Sequence, residues 1–406
     1  MNYNKYLKSP LPPLLKGARI GIDARFYGPV GKGLGRYTQE IVDNITGLDR
    51  ENDYIIFLRR ENFSEFKSSS PRVKKVLADI KWYGSAEQLI FPFYIWRERL
   101  SLMHFPHFNV PLLCPVKFVV TIHDLILIKF STVRATALGP LAYKIKNLAY
   151  KLVILAAVKR AKKVFAVSEY TKNDIVKQFK INPNKVVVTY EGVAALAPFN
   201  KGGKEDLINP PYLLYVGNAY PHKNLEGLIK VFAQIKTPLD KGGKGDLQIQ
   251  PPLIKGGRGD LSLVLVGKED YFYNRLKKYA QNFSGIIFPG YVPDADLAEL
   301  YANALAYVFP SFYEGFGLPP LEAMARGLAV ASSNKTCLPE ILGDAALYFN
   351  PEDEVEMKNK IELVINDENL RASLRSRGYE QIKKYSWREC AEKTLEVYKN
   401  ILFKKN

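Results

Sequence analysis

Cysteine and long apolar runs are both scarce in this 406-residue chain, and each scarcity removes a class of protein. The three cysteines, Cys114, Cys337 and Cys390, stand far apart. That excludes a disulfide framework or a zinc knuckle and fits a reducing cytoplasm. No apolar run reaches the ~18 residues of a membrane span; "LVILAAV" at 152–158 is the nearest. The opening residues MNYNKYLKSPLPP contain no apolar segment of the signal-peptide kind. Nothing matches the phosphate-loop pattern G-x-x-x-x-G-K-[ST], although Lys-Gly-Gly occurs three times.

What is present is an ordinary balance of a folded protein, 47% hydrophobic and 24% charged. The length is too great for one core and predicts two domains. The net charge of +17 is unevenly placed, since residues 1–198 hold 31 Lys and Arg against 15 Asp and Glu. A basic first half beside a near-neutral second half implies a use for the positive field. An anionic membrane surface is ranked above nucleic acid, because clusters such as "KRAKK" (159–163) need only anionic lipid to be attracted.

Short β-branched runs alternate with helical patterns through both halves. The strand candidates are 18–23, 54–58, 117–124, 163–168 and 185–192, then 212–217, 261–267, 285–292, 305–311, 328–333 and 346–350. Such runs separated by helices predict parallel sheets covered on both faces, hence two doubly wound α/β domains in tandem. The expected boundaries are 1–198, 199–385 and a helical tail at 386–406 that crosses back to the first domain. Ligands in such sheets lie beyond the carboxyl ends of the strands, so two facing sheets would share one cleft.

The Lys-Gly-Gly runs fall elsewhere, at 201–203 in the interdomain joint and at 241–257 before the strand at 261. "PPLLKGA" (12–18), "KGGKGDL" (241–247) and "PPLIKGGRGDL" (251–261) resemble copies of one exposed element. The stretch of about 236–260 is therefore expected to be a surface insertion, tolerated because loop entropy grows slowly with length.

"VFPSFYEGFGLPPLEAMARG" (308–327) is more informative. A strand ends near Pro310, a loop with two glycines follows, and Pro319–Pro320 open a helix whose free N–H groups attract anions. Glu314 and Glu322 flank that turn, and carboxylates accept hydrogen bonds from sugar hydroxyls. The Glu-x7-Glu within this stretch resembles the signature of retaining family 4 glycosyltransferases of GT-B fold. "IGIDARFYGPVGKGLGRYTQEI", "VVTIHDLILI", "FAVSEYTKNDI" and "YVGNAYPHKNLEGLI" agree with it in order. The resemblance covers nearly the whole chain apart from the first ~17 residues and the inserts.

What this resemblance implies can be assigned residue by residue. Glu322 would bind the nucleotide ribose and Glu314 the donor sugar, with backbone N–H groups around Gly315, Phe316, Gly317 and Leu318 approaching the sugar and the distal phosphate. Lys223 would neutralise the departing diphosphate, and His123 would lie near the sugar. Gly33 and Gly35 would let a first-domain loop close on the donor. Asn218 occupies the place where many relatives carry a second cation, with His222 and Arg326 as candidates to compensate. No Asp-x-Asp motif is placed to serve the diphosphate, so metal independence and no cofactor are expected.

The implied partners are a nucleotide diphosphate sugar, GDP-mannose favoured, and a glycan or lipid-linked acceptor, without nucleic acid. The implied place is the cytoplasm, peripheral on the inner membrane face. The rival readings are a sugar-nucleotide 2-epimerase of the same architecture and a non-catalytic basic α/β protein. Among lesser candidates, His104 and His107 are assigned a structural role with a cleft-lining one as the alternative, Asp23 and Arg25 serve loop or substrate, and Lys32 and Arg36 are weaker phosphate candidates. The run "LIFPFYIW" (89–96) is assigned to the core, with an acceptor- or membrane-facing edge as the alternative.

Overall fold

The computed structural model describes residues 17–28, 32–130, 140–193, 211–235 and 261–403. The Lys-Gly-Gly runs and the expected insertion at 236–260 lie outside the described residues. Two compact units are present. One comprises Met1–Thr121, Leu152–Phe165 and Cys390–Asn406, the other Ile122–Lys151 and Ala166–Glu389.

The first sheet contains β1 (Arg19–Asp23), β2 (Asp53–Leu58), β3 (Val73–Leu77), β4 (Leu102–Phe105), β5 (Phe118–Ile122), β6 (Lys163–Ala166) and β7 (Val186–Val188). Its order is β3-β2-β1-β4-β5-β6-β7. β1 pairs in parallel with both β2 and β4, Ile20 opposite Tyr54 and Leu102. Every residue of β1 and β5 is buried, as expected of strands covered on two faces. The sequence did not reveal β3 and β4. β3, VKKVL, is an edge strand whose lysines suit an exposed rim, and β4 is only the four residues LMHF.

The second sheet contains β8 (Tyr212–Val216), β9 (Ser262–Val266), β10 (Ile286–Gly290), β11 (Ala306–Phe309), β12 (Val330–Ser333) and β13 (Ala346–Phe349). Its order is β10-β9-β8-β11-β12-β13, with all registers parallel. Leu213, Leu263, Val308 and Val330 are fully buried at the centre of its core. The strand order reverses between β8 and β11, and a doubly wound sheet opens a crevice at such a reversal.

Several first-half candidates prove to be structural. Arg25 bonds both Asp23 oxygens at 2.8 and 2.7 Å and Glu87 at 2.6 Å, and its guanidinium lies 4.0 Å from the Phe91 ring centre. Arg25 is 1% exposed, so Asp23 and Arg25 order the loop after β1 and offer substrate no access. Desolvation pushes the Glu87 carboxyl up against the opposing pull of Arg25. His104 is fully buried, with Nδ1 2.5 Å from Tyr398 and Nε2 3.0 Å from Thr121, and His107 packs on Phe108 and Phe26. Tyr398 belongs to the helix Trp387–Phe403, so a core histidine ties that helix to β4 and β5.

The glycine-rich stretch after β1 also differs from expectation. The helix Lys32–Leu48 already includes Gly33 and Gly35, which therefore stand in its first turn instead of in a free loop. A Cβ on Gly35 would fall 2.0 Å from the Gly28 carbonyl oxygen, so this glycine is needed for close packing. Nothing crowds Gly33 within 4 Å.

Candidate active site

Two turns at the β8–β11 reversal build the site. After β8, Gly217 and Asn218 lead into the 3₁₀ turn Pro221–Lys223. That turn stops at Asn224, which adopts φ +56, a left-handed conformation asparagine tolerates better than most residues. The Asn224 side chain donates to the Pro351 carbonyl at 3.0 Å, and the helix Leu225–Phe232 starts there. After β11, the chain runs through Ser311 and Glu314 to Gly317, whose φ of +101 opens the helix Leu318–Ala325. Glycine is required at that angle.

The turns are bonded to each other. The His222 carbonyl accepts from Phe312 N–H at 2.8 Å and from Ser311 Oγ at 3.1 Å. Lys223 is thereby set beside Glu314, Nζ to Oε1 2.5 Å, with both side chains about one-tenth exposed. The Lys223 ammonium also lies 5.4 Å from the Phe309 ring centre. Glu314 is fixed from its backbone, whose N–H donates to Thr336 Oγ1 at 3.1 Å. Two residues assigned separately from sequence, one to the diphosphate and one to the sugar, therefore form one ion pair.

Gly315 is the closest-packed position. A Cβ there would lie 1.8 Å from the His123 carbonyl oxygen and 3.1 Å from Asp124 Cβ. The Gly315 carbonyl accepts from Ser168 Oγ at 2.7 Å and Thr171 Oγ1 at 3.1 Å. Ser168 is also the N-cap of the helix Glu169–Phe179, accepting from Thr171 N–H at 3.1 Å. His123 is thus adjacent to the Glu314–Gly315 turn, and its Nδ1 lies 3.1 Å from the buried Glu191 carboxylate. Desolvation pushes the Asp124 carboxyl up, opposed by the Ile126 N–H, His123 and Lys223, and reinforced by Glu314.

The remaining assigned residues sit as follows. Phe316 is buried, and its carbonyl accepts from Cys337 Sγ at 3.2 Å. Leu318 is the first residue of the helix, and Glu322 is one turn further, half-buried. The Asn218 carbonyl accepts from Tyr215 OH at 2.8 Å, and its side chain turns back to Tyr220 N–H at 3.4 Å.

His222 and Arg326, the two candidates for a second cation, are placed as follows. Desolvation, aided by Lys223, pushes the His222 imidazole down to about 3, so it is neutral at physiological pH. Arg326 lies at the far end of the helix, its guanidinium 5.2 Å from the Tyr301 ring centre.

Sequence reasoning missed Glu191, Asp124, Ser168 and Thr171 as site-forming residues. Glu191 is 68 positions from His123, a separation no local spacing rule can bridge. For Ser168 a signal existed, since a serine directly before a helical pattern is a favoured N-cap.

Two doubly wound parallel sheets, of seven and six strands, are the architecture of GT-B fold proteins. Within that class, residues 33–195 match the family model described as glycosyltransferase family 4, and residues 204–381 that of glycosyl transferases group 1. Each match spans less than half of the chain, and together they give a glycosyltransferase family 4 domain followed by a glycosyl transferases group 1 domain. It is similar to O-antigen chain mannosyltransferase B of Escherichia coli, 32% identical over 59% of this chain and 61% of that protein. It is also similar to O-antigen chain mannosyltransferase RfbU of Salmonella typhimurium, 30% identical over 60% of this chain and 64% of that protein. The match thus spans less than two thirds of either relative. Among solved structures, sucrose-phosphate synthase from Thermosynechococcus elongatus has the same fold, with a TM-score of 0.70 at 17% identity, covering 95% of this chain and 99% of that one.

Proposed function

We propose that the protein transfers a sugar from a nucleotide diphosphate sugar, GDP-mannose first, to a hydroxyl of a glycan or lipid-linked acceptor with retention at the anomeric carbon. The Lys223–Glu314 pair carries this reading. An incoming diphosphate competes with Glu314 for the Lys223 ammonium, and the carboxylate so released can accept hydrogen bonds from the sugar hydroxyls. The anomeric C–O bond to the diphosphate breaks while the acceptor oxygen bonds the same face, and the acceptor proton passes to the leaving phosphate oxygen. Lys223 and the N–H groups opening the helix Leu318–Ala325 offset the growing negative charge, so the reaction is expected to need no metal. The relatives named for O-antigen mannosyl transfer support mannose and a surface glycan. The proposed location is the cytoplasmic face of the membrane; among the described residues no helix is long and apolar enough to cross one.

Calorimetry with GDP-mannose, GDP and a UDP-sugar tests the donor. The wild-type chain should prefer the guanine nucleotides, and Glu322→Ala should weaken donor binding by roughly 10- to 100-fold, the worth of one or two hydrogen bonds to a charged group. Unchanged affinity in the variant would remove the ribose role. Turnover surviving EDTA treatment is the expected metal result; loss restored by a divalent cation would overturn it.

Glu191 is assigned to hold the His123 ring by the 3.1 Å contact at Nδ1. Glu191→Ala should lower kcat by about 10- to 100-fold with donor KM nearly unchanged. Glu191→Gln, which still accepts the hydrogen bond, should recover most of the loss. Equal losses in both variants would show that the side chain serves only packing.

A further inference from the structure

The run 89–96, expected in the core, divides between two faces. On the helix Phe91–Arg97, Phe91 and Ile95 are fully buried. The opposite face is not polar. Phe93 (56% exposed) and Trp96 (64%) stand three residues apart on this helix, and Leu89 (74%) and Ile90 (48%) precede it, at the end of the helix Ser85–Leu89 and in the turn between the two helices. The Phe93 and Trp96 rings lie 5.9 Å apart. Leu112 N–H donates to Gln88 Oε1 at 2.9 Å, which ties the segment carrying exposed Leu112 and the 75% exposed Leu113 to the residue preceding Leu89. Arg160 holds the carbonyls of Leu112 and Cys114, so this second segment is pinned. Single exposed apolar side chains are ordinary, but six large ones on two braced segments form a surface that calls for a partner.

The charge around this surface selects the partner. From Lys81 to Lys117 the sequence contains two carboxylates, Glu87 and Glu98. Both are buried, 1% and 3% exposed, against Arg25 and Lys74. Lys81, Arg97, Arg99 and Lys117 are exposed. Four exposed cations and no exposed acid between residues 81 and 117 complement a uniformly anionic plane better than the mixed charges bordering a protein interface. Large Trp, Phe and Leu side chains in such a cationic stretch suit the boundary between headgroups and acyl chains.

We propose that this face docks the first unit on an anionic lipid bilayer, with Phe93, Trp96, Leu89 and Leu113 entering the headgroup–acyl boundary. The inference deepens, and rests on, the lipid-linked acceptor of the proposed function. The test is co-sedimentation of the full chain with vesicles of phosphatidylglycerol and phosphatidylcholine, against phosphatidylcholine alone, at rising salt. Wild-type protein should bind the anionic vesicles, release with salt, and show a blue shift of tryptophan fluorescence. The variant Phe93→Ser/Trp96→Ser and the separate variant Leu113→Ser should each bind at least about tenfold more weakly. Both should bind GDP-mannose as the wild type does, which also shows that they are folded. Absent wild-type binding, unchanged binding in both variants, or equal binding to neutral vesicles would overturn the proposal. So would concentration-dependent self-association abolished by the same substitutions, which would assign the face to a second copy. Donor binding without vesicle binding would sink the docking face alone; vesicle binding without donor binding would sink the transferase reading alone.

Discussion

Lys223→Met is expected to lower kcat/KM by about 10³-fold and the stability of the fold by about 3 kcal/mol. Two separate effects produce these losses. In the free protein the ammonium neutralises Glu314 at 2.5 Å, where both side chains are about nine-tenths buried. Breaking such a pair from one side leaves a charge out of water and unmatched, which is why the loss exceeds that of a surface ion pair. Under the proposed function, the same ammonium would be the cation for the leaving diphosphate at the β8–β11 reversal, since His222 is neutral and Arg326 stands at the other end of its helix. A double substitution separates the two effects. Lys223→Met/Glu314→Gln should recover much of the stability in urea unfolding while remaining inactive. Activity within threefold of wild type in the single variant would refute the assigned role.

Gly315→Ala should be the most damaging methyl group that can be added to the site. The new Cβ would fall 1.8 Å from a backbone carbonyl oxygen, that of His123, and no side-chain rotation can relieve it. Either the Glu314–Gly315 turn or the end of β5 must move. Movement also strains the two hydrogen bonds that Ser168 and Thr171 make to the Gly315 carbonyl. Overpacking of this kind costs about 3 kcal/mol. A displacement of about 1 Å in a positioned group lowers turnover by about 100-fold. Gly33→Ala serves as the comparison, because nothing lies within 4 Å of its Cβ position. If Gly315→Ala melts and turns over like Gly33→Ala, the close approach does not exist in solution.

The parts legible in the sequence were those set by local chemistry. Runs such as YLLYV and SLVLV are strands because β-branched and aromatic residues fill a pleat buried on both sides, and the order of the runs implies a doubly wound sheet. The glycines and prolines of "EGFGLPP" mark a turn into a helix, and the structure has that turn, with Gly317 at φ +101. The edge strand VKKVL was missed because lysines at a rim do not alternate as a half-buried strand does.

By itself, then, the sequence determined the α/β class, most strand positions and the turn bearing Glu314, since each depends on neighbours a few residues away. Only the tertiary structure decided that Lys223 meets Glu314 across 91 residues and that His123 meets Glu191 across 68. It also decided that Asp23 and Arg25 are sealed from substrate, and that "LIFPFYIW" buries Phe91 and Ile95 but exposes Phe93 and Trp96. Composition reports what a side chain prefers. Which groups end within hydrogen-bond reach, and which apolar faces stay uncovered, is settled by the strand order and by the elements that pack against each surface.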